Sequence, residues 1–293
     1  LSPQSSNKFC KGVCVLSSKI VTHGGGPHMD DLISACIVLA MNNDIKCIER
    51  RPVEPEEISD PAVWVLDQGG VHDPGNRNFD HHQFPAGTKK CTLSLLADHF
   101  DLKSDLDEMV WFRALVLDDS LGAIKTAGEF DCSATLLKGL MRGPVNEFLL
   151  ARFEQAKKLD SNDELVKLLS AIGTHIVTDI RSKKERLKLI RKKAEFAEVN
   201  GLKVLFFMED VPDPKLSISA YLKKTGRNAA VLVVKNTRES GWSLSRISDH
   251  PRVDFRRIKG MNDVLFVHAN GFVAKTRRIE KPAIISLLET AIV

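Results

Sequence analysis

The sequence predicts an α/β protein in two parts. An N-terminal domain on a doubly wound, mainly parallel sheet (residues 1–180) is joined by a basic helical linker (181–200) to a smaller α/β C-terminal domain (201–293). Three observations carry this reading. The chain's 293 residues could fill one large core, but two domains of roughly 100–200 residues suit that length better. Strand-like and helix-like patterns alternate in both halves, as in a sheet covered by helices. Charge also divides the chain. Residues 1–180 hold 18 Lys/Arg against 26 Asp/Glu, a net of −8, whereas 181–293 hold 24 against 12, a net of +12.

Each element has a local reason. "KIVTHGGG" (19–26) reads as a short strand ending in a glycine loop. "PHMDDLISACIVLAMNN" (27–43) reads as a helix, with Pro27 in its first turn and Asp30 and Asp31 where the helix dipole favours acids. Its apolar residues run nearly all round, so it is expected to be buried. "AVWVLDQGG" (62–70) is a buried strand, and "HDPGNRN" after it has turn chemistry. Residues 92–100 and 106–120 read as helices, as do stretches near 145–160 and 162–178. "RSKKERLKLIRKKAEFAEV" (181–199) reads as one long basic helix. Beyond Asn200-Gly201, "LKVLFFM" and "AAVLVVKN" read as strands around the helix "ISAYLKKTG". "WSLSRIS" and "DVLFVHANGFVAKT" add further strand, and "PAIISLLETAI" closes the chain with a helix.

Composition narrows the class. With 43% apolar, 27% charged and 6% aromatic residues, the chain reads as a soluble globular protein. No apolar run approaches the roughly 18–20 residues of a membrane span. "LSPQSSNKFCKGV" lacks a signal pattern, so an intracellular protein, cytoplasmic, organellar or nuclear, is expected. The six cysteines all lie in the first half without a disulfide framework, which favours a reducing compartment. Cys10 and Cys14 have half a zinc-site spacing but no second close pair. The acidic front suits a cation site, and the basic back suits phosphates. The oligomeric state, monomer or homo-oligomer, is left open.

Imidazoles and carboxylates recur at the places where open α/β sheets build sites, the carboxyl ends of strands. "THGGGPHMDD" carries His23, His28 and Asp30. "VLDQGG" carries Asp67. "FDHHQ" carries Asp80, His81 and His82. "LVLDDS" carries Asp118 and Asp119 late in a helix. Singly, each has an ordinary reading: a loop histidine, a capping acid, a turn acid, a solvated helix end. The triplet resists this best. Adjacent histidines of an extended segment point to opposite faces, which leaves one for a metal and the other for a second task.

Together and in this order, the four segments resemble the DHH phosphoesterase superfamily, nearest the family of the melanocyte proliferating gene 1 product. "THGGGPHMDD", "DQGGVHDP", "FDHHQ" and, near the C-terminus, "FVHANGF" (266–272) carry the resemblance. Gly24, Pro27, Gln68, His72 and "DDS" (118–120) depart from the family pattern. The resemblance implies a DHH-like catalytic domain with two divalent cations, most expectedly Mn²⁺, with Mg²⁺ or Co²⁺ as alternatives. His23, His28 and Asp67 would hold one ion. Asp30, Asp67, His81 and Asp118 would hold the other, with Asp67 bridging and Asp119 the alternative to Asp118. Three carboxylates against two divalent ions leave the site at about +1, which suits an anionic phosphate. Asp80 would orient an imidazole, and His82 would face the substrate phosphate. Asp67, Asp80 and His82 are therefore the expected catalytic residues.

The C-terminal domain is expected to bind substrate through His268, Gly271, Arg277 and Arg278. Solvated strand ends and a plain "NG" turn explain the same residues without a ligand. Residues 181–193 carry eight Lys/Arg and one acid, a solvated face or a contact for a nucleic-acid backbone. The expected function is a metal-dependent phosphodiesterase, a 3′→5′ exonuclease or an oligonucleotide hydrolase, acting on RNA, DNA or short oligonucleotides. A pyrophosphatase-like phosphoanhydride hydrolase and a metal-stabilised nucleic-acid-binding protein without turnover are the alternatives.

Overall fold

β1 (Ser18–Thr22) is the hub of the first sheet, buried along nearly its whole length. The computed structural model describes residues 18–293, so Cys10 and Cys14 lie outside the described residues. The chain divides between residues 180 and 181 into two units. In the first, β1 is followed by α1 (Met29–Met41), β2 (Ile45–Arg50), β3 (Val63–Leu66), β4 (His72–Asp73) and β5 (Asn78–Phe79). A helical run comes next: α2 (Thr92–His99), α3 (Lys103–Leu106), α4 (Val110–Leu121), α5 (Ala123–Glu129), α6 (Ala134–Met141) and α7 (Pro144–Gln155). β6 (Lys158–Asp160) and the first part of the 30-residue α8 (Glu164–Lys193) complete it, and α8 continues past residue 180 into the second.

The sheet order is β4-β5-β3-β1-β2-β6. β2, β1, β3 and β5 run parallel, and the edge strands β4 and β6 run antiparallel. This is the expected doubly wound sheet. From β1 the chain crosses through α1 to β2 on one side, then places β3 on the other. The carboxyl ends of β1 and β3 thus flank the point where winding reverses, where such sheets bind ligands. β2 escaped the sequence reading, since "IKCIER" is neither an apolar run nor a strict alternation, its burial running through adjacent Cys47 and Ile48.

α1 is buried from Asp30 to Leu39, as its all-round apolar content predicts. It begins at Met29 with His28 as N-cap, so Pro27 precedes the helix and does not sit in its first turn. α8 packs on α1 so closely that a Cβ on Gly173 would lie 1.9 Å from the Cys36 carbonyl oxygen.

In the second unit, β7 (Glu195–Val199) and β8 (Leu202–Phe207) precede α9 (Pro214–Thr225). β9 (Val231–Lys235), β10 (Trp242–Arg246), β11 (Val264–Val267), β12 (Val273–Thr276) and α10 (Lys281–Ala291) follow. The order is β11-β12-β10-β9-β8-β7, with only β8 and β9 parallel. The stretch 181–199 is not one helix. The helix that ends at Lys193 begins at Glu164, and residues 195–199 form a strand. Asn200 and Gly201, both at positive φ, make the two-residue turn that pairs β7 with β8. "NG" is a strong hairpin signal, outweighed in the sequence reading by the helical look of the basic run. Among the described residues no helix is long and apolar enough to cross a membrane.

Candidate metal centre

Three parallel strands deliver the site. His23 follows β1, Asp67 follows β3, and Asp80, His81 and His82 follow β5. Asp67 leaves its strand at φ +55, ahead of Gly69 and Gly70 at φ +92 and +68. An Asp tolerates this left-handed conformation better than most residues, and it turns the carboxylate across the sheet edge. α1 adds His28 as its cap and Asp30 in its first turn, and α4 adds Asp119 in its last.

Asp67 stands at the centre, nearly buried. Its Oδ2 lies 3.5 Å from His23 Nε2 and its Oδ1 lies 3.1 Å from His81 Nε2. One carboxylate therefore faces two imidazoles with two different oxygens. Asp119 Oδ2 lies 3.1 Å from His81 Nε2, and its Oδ1 lies 3.6 Å from His28 Nδ1. His23 Nδ1 lies 2.7 Å from the Gly24 carbonyl oxygen. An N–H at that nitrogen donates to the carbonyl and leaves Nε2 as the ligand atom.

A second set of contacts holds these groups in place. Both Asp30 oxygens accept backbone N–H groups at the start of α2, from Thr92 at 3.0 Å and Leu93 at 2.8 Å. The Thr92 hydroxyl shares its one proton between Asp67 Oδ1 at 3.2 Å and the Phe79 carbonyl at 3.1 Å. Asp31 lies 3.0 Å from His23 Nε2 and accepts from the Thr22 hydroxyl and the His28 N–H. Asp80 accepts from the Gly70, His81 and His82 N–H groups, and its Oδ1 lies 2.6 Å from His82 Nδ1. That leaves His82 Nε2 for another partner, on a side chain 63% exposed.

Electrostatics show what the cluster demands. Burial, with the nearby charges of Asp119 and Asp67, pushes the Asp30 carboxyl well up. Asp31 and then Asp67 raise the His23 imidazole to about 11. Burial works against a charged His81, but Asp67 and Asp119 outweigh it and raise that imidazole to about 9. Asp119 likewise raises His28. Burial also opposes ionisation of Asp67, yet the adjacent His23 and His81 hold its carboxyl down. The carboxylates thus draw positive charge into the site.

The donor set fits a divalent transition metal, for which imidazole nitrogen and carboxylate oxygen are ordinary ligands. Two overlapping groups, His23-Asp31-Asp67 and Asp67-His81-His82, each bring ligand atoms within 4.8 Å of one another, as does Asp30-Cys91-Asp119. Asp119 Oδ2 is also buried, with His81 Nε2 at 3.1 Å as its one close polar neighbour among the described contacts. A carboxylate oxygen and an imidazole nitrogen this close share a proton when the ring is charged, or a cation when it is neutral.

The structure brings His23, His28, Asp30, Asp67, Asp80, His81 and His82 together as the sequence reading expects, and corrects two points. Asp119, not Asp118, faces the cluster. Phe112, Leu115 and Val116 pack into the main core, and Asp119 continues their one-face spacing. Asp118 lies about 100° round the helix, where burial raises its carboxyl and Lys138 opposes that rise. The triplet is also not extended. The Phe84 N–H donates to the His81 carbonyl at 3.1 Å, closing a turn. The His81 and His82 rings therefore lie side by side, centroids 4.4 Å apart. Asp31 and Thr92 were missed as site residues. Asp31 carries the ordinary signal of a helix cap, and Thr92 carries none.

The expected substrate residues lie in the second unit. Gly271, at φ +69, has its place for an internal reason: a Cβ there would lie 2.2 Å from Asp254 Oδ1. Arg278 donates to the Ala283 and Asn262 carbonyls at 3.0 and 3.3 Å. Both residues are engaged within their own unit. His268 packs its ring 4.1 Å from that of Phe272, with Nδ1 accepting from the Asn270 N–H at 3.1 Å. Arg277 is exposed.

Residues 19–92 match the model of a family named MYG1_exonuc and described as "Uncharacterised protein family (UPF0160)". The match spans His23 through Thr92 and bears out the resemblance read from the motifs in that stretch. No curated protein matches the chain. Among solved structures, RecJ from Thermus thermophilus in complex with Mn²⁺ is similar at 12% identity and a TM-score of 0.31, over 93% of this chain and 52% of that one. The chain thus spans about half the length of that RecJ. An exonuclease RecJ bound to manganese is similar at 15% identity and a TM-score of 0.31, over 93% and 89%. A putative family II inorganic pyrophosphatase from Methanococcus jannaschii is similar at 17% identity and a TM-score of 0.24, over 94% and 99%.

Proposed function

We propose that the protein is a metal-dependent phosphodiesterase that hydrolyses short oligonucleotides or the 3′ end of a nucleic acid. The observation that carries this is the Asp67 carboxylate, set between His23 and His81 with a different oxygen toward each. That arrangement suits two adjacent cations. His23, His28, Asp31 and Asp67 would hold one, and Asp30, Asp67, His81 and Asp119 the other, with Mn²⁺ the expected ion. Bound ions would supply a water of lowered pKa and positive charge against the phosphoryl oxygens.

The chain's own residues do the rest. Asp80 fixes His82 through Nδ1, so that in the imidazolium form Nε2–H donates to a phosphoryl oxygen as charge builds there. Thr92 and the first amides of α2 keep Asp67 and Asp30 in place. In the second unit, His268 and the exposed Arg277 remain the proposed phosphate contacts.

The test is Mn²⁺ with short RNA or DNA. Release of 5′-mononucleotides is expected, with pyrophosphate barely touched, and His81→Ala abolishes turnover while the fold persists. Phosphate release from pyrophosphate alone would make the protein a phosphoanhydride hydrolase. No hydrolysis with Mn²⁺, Mg²⁺ or Co²⁺, despite bound metal, would make it a binding protein.

A further inference from the structure

The cavity at the cluster is larger than the cluster. It is an open cleft of about 720 Å³, and its lining beyond the ligand residues includes Phe84, Pro85, Ala86, Gly87, Thr88 and Lys90 of one loop beside Gln68, Gly69 and Ser120. That volume lies within the roughly 300–1,000 Å³ of small-molecule sites and is several times what a pyrophosphate fills. Most of this added lining comes from one loop that the sequence reading leaves unassigned.

The loop is ordered by its own bonds. The Thr88 N–H and hydroxyl both donate to the Pro85 carbonyl, at 3.1 and 2.7 Å. Gly87 turns the chain at φ +86. Phe84 is half-buried and packs against the main core, so the loop springs from a fixed base. The two lysines that close it are used differently. Lys89 pairs with Glu129 at 2.7 Å. Lys90 instead lies over the Phe84 ring, its Nζ 4.7 Å from the centroid, and is the one Lys or Arg among the described residues that line the cavity. A cation held by an aromatic face is already partly desolvated and placed, which favours it as an anion contact.

We infer that the Phe84–Lys90 loop is a subsite for a nucleoside phosphate, with Lys90 meeting an anionic oxygen and the Phe84-Pro85 wall packing against the nucleoside. The inference rests on the phosphodiesterase reading for its choice of ligand, and it narrows that reading. A cavity with one cation and an apolar wall discriminates an organic phosphate from an inorganic one. A pyrophosphate offers nothing to the wall, whereas a nucleoside covers it. An aromatic wall of this kind accepts any base, because every base has an apolar face.

Titration calorimetry on the full chain with Mn²⁺, using AMP and inorganic phosphate as separate probes, tests it. Wild type is expected to bind AMP about tenfold more tightly than phosphate. Phe84→Leu removes that margin and, because the ring also places Lys90, weakens phosphate by no more than the roughly fivefold of losing Lys90, while Phe84→Tyr keeps the margin. Lys90→Met weakens both probes about fivefold. The phosphate affinity of Phe84→Leu also reports its fold, since a collapsed site would lose both ligands. Equal binding of the two probes by wild type, binding of neither, or an undiminished margin in Phe84→Leu overturns the subsite. The phosphodiesterase reading fails separately: Phe84-dependent AMP binding without cleavage of any oligonucleotide would end that reading and leave the subsite standing.

Discussion

The two units place histidines, acids and glycines at the ends of their strands, and use them in opposite ways. At the edge of the first sheet the carboxylates outnumber the charges set against them. Asp30, Asp67 and Asp119 crowd the same space, and Asp119 Oδ2 is buried with His81 Nε2 as its close polar neighbour. At the β11–β12 hairpin of the second unit the residues close on their own backbone. Gly271 makes room for Asp254, and the Asn270 N–H turns back onto His268. The difference teaches that residue type at a strand end does not make a site. What marks one is the unmet demand of buried polar groups, because each unpaired group costs about 1–3 kcal/mol unless a ligand meets it.

The comparison breaks most readily at α4. Asp119→Asn is expected to lower Mn²⁺ affinity by about a hundredfold or more, since even residues that only support a ligand are worth about 10–100-fold. Asp118→Asn should stay within about threefold. Calorimetric titration of the two variants reads the contrast, and a reversed order would restore Asp118 as the ligand.

The next effect belongs to the second unit. Gly271→Ala introduces a Cβ 2.2 Å from Asp254 Oδ1 at φ +69, a loss of about 2–3 kcal/mol. Thermal unfolding should show that loss while the Mn²⁺ affinity of the first unit is unchanged. A variant as stable as wild type would mean that the hairpin is not the self-contained scaffold it looks to be.

Thr92→Val keeps the shape and the N–H of the helix start but removes the hydroxyl that holds Asp67. About a tenfold loss of Mn²⁺ affinity is expected, restored by Thr92→Ser, with unfolding temperature little changed. Loss of affinity in both variants alike would assign Thr92 to packing instead.

The smallest effect comes from an acid whose demand is already met. Glu57 pairs with Lys19 at 2.6 Å and Arg51 at 2.7 Å, and the Arg51 guanidinium foremost holds its carboxyl down at about 2. A folded-state pKa below the unfolded one stabilises above the unfolded value and loses that stability as pH falls through the folded one. Glu57→Gln should therefore cost about 1 kcal/mol at neutral pH after solvent screening. The deficit should shrink between about pH 4.5 and pH 2. Urea unfolding at several pH values measures it, and a deficit that grew on acidification would contradict the pairing.

Much of the first unit was legible because its signals are local. The parallel strands announce themselves by apolar runs ending in ligand residues, and α1 by its all-round apolar content. The order of His23, His28, Asp67 and the Asp80-His81-His82 triplet sufficed to propose a metal centre. The choice between Asp118 and Asp119 was legible in part, since the spacing of Phe112, Leu115 and Val116 phases the helix toward Asp119. The Asn200-Gly201 hairpin was legible too, and was overruled by the helical look of a strand joined to a basic helix.

By itself, the sequence determined which chemistry was on offer: imidazoles and carboxylates at strand ends, an acidic front and a basic back. Only the tertiary structure decided which of those groups are left wanting a partner. The Thr92 hydroxyl reaches Asp67 across 25 positions, and the Thr92 amide reaches Asp30 across 62. Contacts of that range depend on how parallel strands and the start of α2 converge. The side-by-side histidines depend on a turn whose closing bond runs back to His81. Periodicity reports which face of an element is buried, but not what that face meets, and a metal centre is made of what meets there.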